Sequence, residues 1–256
     1  MITPLVGVAH GSRDPRAAAT VTELLAAVRA RRPDVPVLAS FLDHAAPAPD
    51  RVLDGLARGG AERAVVLPLL LTAAYHSKTD IPGVLARVGR RHPGLGLTTA
   101  ATLGPHPLLL AALERRLAEA GVAAGDPRTA VVLVAAGSSD PAANATIGGL
   151  ARRWRSRGWW GVVPAFASAT RPTPAEAVAA LRDAGAPRVV VASYFLAPGH
   201  FADKVRGEAL AAGAGAVSPV LGAAPELADL VLHRYDEARA PGRAPTCTPA
   251  GALAAR

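Results

Sequence analysis

The feature of this sequence that most limits its fold is an internal repeat. The segment Ala136–Pro141 (AGSSDP) matches His10–Pro15 (HGSRDP), and each follows a short apolar run. Three more landmarks recur in the same order: Phe41–Asp43 with Phe166–Ser168, Val65–His76 with Val189–His200, and Leu103–Pro107 with Leu221–Pro225. The separation between the copies drifts only from 126 to 118 residues. Such a pattern predicts two copies of one folding unit.

Within each copy, apolar runs alternate with segments of helical periodicity. The run Val65–Leu71 is typical of a strand buried on both faces of a parallel sheet. Asp80 and Pro82 after it predict a helix start, with the aspartate as cap and the proline in the first turn, as do Asp14 and Pro15. Strands alternating with helices predict parallel sheets. The predicted fold is therefore α/β, with two Rossmann-like lobes and a cleft between them.

Composition changes mark the predicted domain boundaries. We predict an N-terminal lobe over 1–121 that carries the candidate ligands and a C-terminal repeat lobe over 128–237. The segment between them, GVAAGDP from Gly121 to Pro127, reads as a linker. Residues 238–256 are rich in Ala, Pro, Gly and Arg without periodicity, which predicts a disordered tail.

The charge and cysteine content narrow the class of protein. The formal net charge is +8, and all but two of the 28 basic residues are arginine, which binds carboxylate or phosphate through a planar fork. This excess permits an acidic partner and is equally expected from genome composition. The single cysteine, Cys247, excludes an intrachain disulfide and a multi-cysteine metal site.

Several classes of function lack their sequence signals. The chain has no glycine-rich nucleotide-binding motif and no α/β-hydrolase nucleophile motif. It has no apolar run of about 18 residues, and its first residues do not resemble a signal peptide. We therefore expect a cytoplasmic protein, monomeric or homodimeric, with no nucleic-acid partner and no membrane partner.

Residues able to bind a metal follow strands in the first copy. His10, Asp43, His76 and His106 each come soon after a predicted strand. The carboxyl ends of neighbouring parallel strands meet at one edge of a sheet, where ligands bind. Two imidazoles, a carboxylate and a third imidazole that remains optional suit a divalent transition metal. A single histidine there would usually be an ordinary loop residue, but several at one edge favour a site.

The second copy serves as an internal control. It keeps the residues that shape the turn, but it replaces His10, Asp43 and His106 by Ala136, Ser168 and Ala224 and retains only His200, the counterpart of His76. Ligands that serve function rather than fold would show this pattern. His200 is accordingly predicted to line the cleft rather than to form a second metal site.

Three polar neighbours of these ligands have two interpretations. Ser12 and Arg13 follow His10, and Lys78 follows His76. Each of them either contacts a carboxylate of a ligand or only completes its own turn. The residues themselves do not decide between the two.

Taken together, the motifs resemble the sirohydrochlorin chelatase family. The matching stretches are His10–Pro15, Phe41–Asp43, and Pro68–Leu71 leading to Tyr75 and His76. The duplicated length resembles the long, two-lobed form. The resemblance implies ATP-independent insertion of Fe²⁺ or Co²⁺ into the tetrapyrrole sirohydrochlorin, without an organic cofactor and with the tetrapyrrole in the cleft.

The resemblance also implies roles for single residues. The family's catalytic, metal-binding histidines fall on His10 and His76, and His10 is also the implied proton acceptor. Asp43 stands where the family usually has glutamate, so the third ligand is either Asp43 or His44. The residues implied to contact the tetrapyrrole are Ser12, Arg13, Leu71, Thr72, Ala73, Ala74, Tyr75, Lys78 and His200.

The chemistry of metal insertion suits these residues, and two rival functions are open at this point. Neutral imidazole both ligates a metal and accepts a proton near neutral pH. A non-catalytic metal or tetrapyrrole carrier would use the same ligands. A histidine phosphotransfer enzyme would need an arginine before its histidine, where this chain has Ala9. Because no histidine-rich tract for cobalt is present, we favour iron, and thus sirohaem, over cobalt and cobalamin.

Overall fold

The computed structural model describes residues 2–72 and 79–240. The chain divides into two compact units, Met1–Gly104 with Ala228–Arg256 in one and Pro105–Leu227 in the other. Each unit is built around a four-stranded parallel sheet flanked by helices. This confirms the predicted α/β class and the internal duplication. In the described part of the chain, no helix is both long enough and apolar enough to cross a membrane.

The first unit holds the first sheet and the helices around it. Its elements are β1 Leu5–Ala9, α1 Pro15–Arg31, β2 Val37–Phe41, α2 Pro49–Arg58, β3 Arg63–Pro68, α3 Ile81–Arg91, β4 Gly96–Thr99 and, from Ala228, α8 Pro225–Arg239. The strands are all parallel in the order β2-β1-β3-β4. Leu5 pairs with both Val37 and Val65, so β1 is central and its carboxyl end lies between those of β2 and β3.

Close packing fixes the position of β1 in this sheet. Val6 and Val66 on one face are fully buried in a cluster with Leu53 of α2 and Val88 of α3. On the other face, a Cβ atom at Gly7 would lie only 3.0 Å from Cδ1 of Leu25 in α1. Glycine therefore allows α1 to approach the strand closely. The loop that leaves β1 thus starts from a closely packed strand.

The last helix, α8, is fastened to the first unit by polar contacts. The Tyr235 hydroxyl donates to the carbonyl of Thr3 at 2.6 Å, and the Arg234 guanidinium donates to the carbonyl of Thr102 at 2.9 Å. The helix runs to Arg239, and Ala238 is buried. Helical structure thus continues into the first residues of the segment predicted as a tail, and 241–256 lie outside the described residues.

The second unit repeats the topology of the first. Its elements are α4 Pro107–Glu119, β5 Thr129–Ala135, α5 Pro141–Arg155, β6 Gly161–Phe166, α6 Pro174–Asp183, β7 Arg188–Ser193, α7 His200–Ala211 and β8 Ala216–Val217. The strand order is β6-β5-β7-β8. Helix α4, which ends the first repeat, belongs here, and Glu114 on it accepts a hydrogen bond from the indole of the buried Trp154 at 2.9 Å. Each unit thus contains the last helix of the other repeat.

The predicted helix starts fit in two cases out of three. Asp14 and Asp140 each accept a hydrogen bond from a backbone N–H of the first turn and precede a proline, as predicted. Asp80 does not form the predicted side-chain cap. Its backbone is already helical, with φ −71° and ψ −49°, whereas a cap residue is normally extended. Pro82 does lie in the first turn of α3.

The third strand is shorter at its carboxyl end than the apolar run predicted. It ends at Pro68 rather than Leu71. Leu69 still donates its backbone N–H to the carbonyl of Val8 at 2.8 Å, so the chain leaves the sheet one residue later. Leu70 and Leu71 then lead into the loop that the sequence marked as functional.

Candidate functional site

The predicted site residues of β1 and β2 are neighbours at the carboxyl edge of the first sheet. His10 follows β1, and Asp43 lies two residues after the end of β2. The ladder between the strands continues past their ends, because Leu42 donates to the carbonyl of Ala9 at 3.0 Å and Asp43 to that of His10 at 2.9 Å. The structure thus brings the backbones of His10 and Asp43 together.

Gly11 makes this close approach possible. Its φ is +92°, in the region that residues with a Cβ rarely adopt. The carbonyl of Asp43 also occupies the place that a Cβ at this position would need. The counterpart, Gly137, has the same conformation and the same close neighbour, the carbonyl of Ser168. The glycine in HGSRDP is therefore a requirement of the turn rather than of the ligand.

His10 is exposed, and its ring has a defined hydrogen bond. Nδ1 lies 3.0 Å from the carbonyl oxygen of Gly11. A carbonyl oxygen only accepts, so Nδ1 carries the proton in neutral imidazole and the lone pair is on Nε2. That tautomer leaves Nε2 available to bind a metal or accept a proton, and a carbonyl partner on the other nitrogen is usual for metal-binding histidines.

Asp43 and His44 form a pair at the same edge. Nε2 of His44 lies 3.2 Å from Oδ2 of Asp43, and Oδ1 of Asp43 accepts from the backbone N–H of His44 at 2.8 Å. The carboxylate is 62% exposed. His44 has a left-handed backbone, with φ 58°. The sequence left His44 open as an alternative ligand, and the structure shows it as the partner of Asp43.

Ser12 and Arg13 lie in the turn between β1 and α1. The Ser12 hydroxyl accepts a hydrogen bond from the backbone N–H of Asp14 at 3.1 Å, so it serves the turn. Arg13 is exposed. The Arg16 guanidinium binds the Asp14 carboxylate and lowers the pKa of that group. The Ser12 hydroxyl therefore completes its own turn, as one of the two interpretations proposes. The backbone N–H of Ser12 has no partner among the described residues, so this group is the one available to a ligand.

The loop after β3, which carries the remaining predicted site residues of the first sheet, is only partly described. Leu71 and Thr72 follow β3 and are partly exposed. The predicted residues Ala73, Ala74, Tyr75, His76 and Lys78 lie outside the described residues. Among residues 2–72 and 79–240, no three His, Cys, Asp or Glu side chains are grouped as a metal would require. A set made of His10, Asp43 and His76 is thus left as a prediction.

The equivalent edge of the second unit is occupied by its own side chains. Ser168, the counterpart of Asp43, donates its hydroxyl to the carbonyl of Ala136 at 2.9 Å. Asn144 closes the adjacent turn by hydrogen bonds to Ser138. Sequence reasoning overlooked Asn144, although its counterpart in the first copy, Ala18, differs visibly from it.

The two remaining predicted histidines lie at helix starts of the second unit. His200 is the first residue of α7, and its ring centroid is 5.7 Å from that of Phe201. His106 is the cap of α4, where Nδ1 accepts from the backbone N–H of Leu108 at 3.2 Å. His106 therefore has a structural task, which the sequence did not predict.

The fold and this edge define a duplicated α/β protein in which His10 and Asp43 are neighbours in the first repeat, while the second repeat has Ala136 and Ser168 at the equivalent positions. A family model described as CbiX matches residues 4–120 and again 130–238. The chain belongs to this family, the sirohydrochlorin chelatases, in its two-lobed form. The prediction made from the motifs is thereby confirmed.

Individual relatives agree with the family. The chain is 31% identical over 197 residues to a sirohydrochlorin cobaltochelatase of Priestia megaterium. This alignment covers 75% of this chain and 63% of that protein. It is 29% identical to the sirohydrochlorin ferrochelatase of Bacillus subtilis (strain 168), over 78% of this chain and 77% of that one. The solved structure of SirB from Bacillus subtilis with Fe3+ has a TM-score of 0.83 and 27% identity, covering 94% and 96% of the chains.

Proposed function

We propose that this protein inserts a divalent metal, Fe²⁺ or Co²⁺, into sirohydrochlorin, in the biosynthesis of sirohaem or cobalamin. The observation that carries the proposal is the juxtaposition of His10 and Asp43 at the edge of the first sheet. The equivalent positions of the second unit hold Ala136 and Ser168. Relatives that are named for both metals support the same reaction.

The reaction exchanges two protons for one metal ion. Two pyrrole N–H groups of the macrocycle lose their protons, the four ring nitrogens bind the metal, and two H⁺ are released. His10 accepts a proton through Nε2, which its hydrogen bond to Gly11 keeps unprotonated in the neutral ring. The exposed carboxylate of Asp43 and the imidazole of His76 complete the proposed set that holds the metal before transfer. Nitrogen and carboxylate ligands suit both Fe²⁺ and Co²⁺.

The substrate is rich in carboxylates, and cationic side chains are proposed to bind them. Arg13 is exposed beside the His10 loop, where a planar guanidinium can bind a carboxylate through two hydrogen bonds. Lys78 and His200 are proposed as further contacts, and so is the loop formed by Leu71, Thr72, Ala73, Ala74 and Tyr75. The reaction as written needs no organic cofactor. We place the enzyme in the cytoplasm as a monomer or homodimer, with no nucleic-acid partner.

Turnover separates this proposal from a carrier with the same ligands. The purified protein is mixed with sirohydrochlorin and either Fe²⁺ or Co²⁺ under anaerobic conditions, and the visible spectrum is followed. Insertion faster than the spontaneous rate with either metal is expected. A rate equal to the spontaneous one with both metals, alongside tight binding of sirohydrochlorin, would identify a carrier instead.

The choice of metal is tested in the cell. Deletion of the gene is expected to cause a requirement for reduced sulfur if sirohaem is the product, since sulfite reductase then lacks its cofactor. A requirement for cobalamin with normal sulfite reduction would assign the protein to cobalt. Rates measured with purified protein do not decide this, because a site of nitrogen and oxygen ligands binds Co²⁺ intrinsically more tightly than Fe²⁺.

A further inference from the structure

The turns that follow β1 and β5 share one backbone conformation. Gly11 and Gly137 have φ values of 92° and 86°. In each turn a serine hydroxyl accepts a hydrogen bond from the backbone N–H of the aspartate two residues later, at 3.1 Å for Ser12 and 3.0 Å for Ser138. Each aspartate then caps the following helix ahead of a proline. The two turns can therefore be compared residue by residue.

In the second unit, one side chain closes this turn. Oδ1 of Asn144 accepts from the backbone N–H of Ser138 at 3.0 Å, and Nδ2 of Asn144 donates to the carbonyl of the same serine at 2.7 Å. The amide thus satisfies both backbone groups of Ser138 at once. It does so from the fourth residue of α5, counted from Pro141.

In the first unit, the turn has no such partner. The fourth residue of α1 is Ala18, whose methyl group cannot accept a hydrogen bond. Within residues 2–72 and 79–240, the backbone N–H of Ser12 has no hydrogen-bond partner. The geometry of the second unit shows what this N–H binds when an acceptor is offered, namely an oxygen of a planar group.

The surroundings of the Ser12 N–H favour a negatively charged oxygen. Arg13 is exposed, and it has no ion pair with any residue in the described part of the chain. The turn leads directly into α1, whose first turn is capped by the Asp14 carboxylate, and the Arg16 guanidinium pairs with that carboxylate. Hydrogen bonds from such donors to a carboxylate are stronger than those between neutral groups.

We infer that Ala18 is a specificity-determining residue, which keeps the backbone N–H of Ser12 available to a carboxylate of the tetrapyrrole, and that Asn144 closes the same subsite in the second unit. The inference rests on the proposed function and deepens it. It explains why the second turn, although identical in backbone form, needs no ligand. Position 18 does not itself contact the substrate in this proposal, and it acts only through the backbone N–H of Ser12.

The test is to introduce the lock of the second unit, meaning the Asn144 side chain that closes its turn, at the equivalent position of the first unit. In Ala18→Asn, the amide should reach the Ser12 backbone as Asn144 reaches that of Ser138. Binding of metal-free sirohydrochlorin is measured by fluorescence titration, and exchange of the Ser12 amide hydrogen by NMR. We expect slower exchange at Ser12 and a Kd about tenfold higher, since a hydrogen bond to a charged group is lost. Ala19→Asn, on the exposed neighbouring position, is the matched control and should change neither quantity.

Each other outcome contradicts the inference. Slower exchange at Ser12 with an unchanged Kd would show that no substrate group uses this N–H. Unchanged exchange at Ser12 would show that the two turns are not equivalent, and Asn144→Ala, which should speed exchange at Ser138, checks that premise in the second unit. Wild-type protein that fails to bind or metallate sirohydrochlorin would overturn the proposed function itself, before the variants are compared.

Discussion

The backbone carbonyl oxygen of Asp43 lies 1.7 Å from the point that a Cβ atom on Gly11 would occupy. Two candidate functional segments therefore cross at a contact that only glycine permits. Gly11→Ala should push the two loops apart and strain a left-handed backbone, at a cost of about 1–3 kcal/mol in the free energy of unfolding. Metal insertion should fall at least about tenfold, because His10 and Asp43 both move.

A glycine in an open position is the control for this substitution. Gly55 lies in α2, and a Cβ there would meet no atom within 4 Å. Gly55→Ala should stabilise the protein by about 0.5–1 kcal/mol and leave insertion unchanged. Urea unfolding and the insertion assay measure both effects. Full activity of Gly11→Ala would show that the crossing of the loops does not position the site.

Replacing the predicted catalytic histidines should separate activity from stability. His10→Ala should abolish insertion with little change in the free energy of unfolding, because the side chain is exposed and contributes little packing. His76→Ala should do the same. His200→Ala, in the second unit, should reduce the rate much less. An equal loss in His200→Ala would contradict the assignment of the reaction to the first repeat.

The pair of Asp43 and His44 gives a test of the third ligand. If Asp43 is the ligand and His44 orients it, Asp43→Asn should weaken Co²⁺ binding far more than His44→Asn, for which about a tenfold loss is expected. Asparagine suits the left-handed backbone at position 44, so the fold should be kept. Calorimetric titration with Co²⁺ measures both variants. The opposite ranking would make His44 the ligand.

Acid stability should depend on Asp54, away from the site. Hydrogen bonds from Arg91, and then from His92, lower the pKa of this carboxyl below its ordinary value of 3.8. A lowered pKa in the folded state gives stability that is present above pH 3.8 and is lost as the pH falls through the folded value. Urea unfolding between pH 5 and pH 2.5 should therefore show a steeper loss for the wild type than for Asp54→Asn. Asp183→Asn, at an exposed position that forms no ion pair within residues 2–72 and 79–240, should keep the wild-type slope. A wild-type slope in Asp54→Asn would exclude this role.

The repeat made the fold predictable, because turn residues and apolar runs are local signals that recur in both copies. The two aspartate caps before Pro15 and Pro141 follow from residue type alone. Asp80 fails as a side-chain cap because its own backbone is helical, which depends on the preceding loop and cannot be read from the Asp-Ile-Pro sequence.

The candidate site was predictable in its location but less so in its hydrogen bonds. Strand order brings the residues after β1 and β2 together, so the neighbourhood of His10 and Asp43 follows from topology. The task of His106 as a helix cap and the lock formed by Asn144 depend on side-chain geometry at helix starts. The available signal for the lock was Asn144, a polar residue in the first turn of α5. This signal becomes informative only when Asn144 is compared with its counterpart Ala18.

The exchange of last helices between the repeats affects how such a protein can be divided and how it could have arisen. Cutting the chain near Gly121 would separate Trp154 from Glu114, and Thr3 from Tyr235, so neither fragment would keep its complete set of helices. A half-length ancestor with the same helix pairing would have needed a second copy of itself, because the last helix of each copy would pack on the other copy. Fusion of two such genes would place both helices in one chain, and the two repeats would then be free to diverge, as they do where His10 and Asp43 correspond to Ala136 and Ser168.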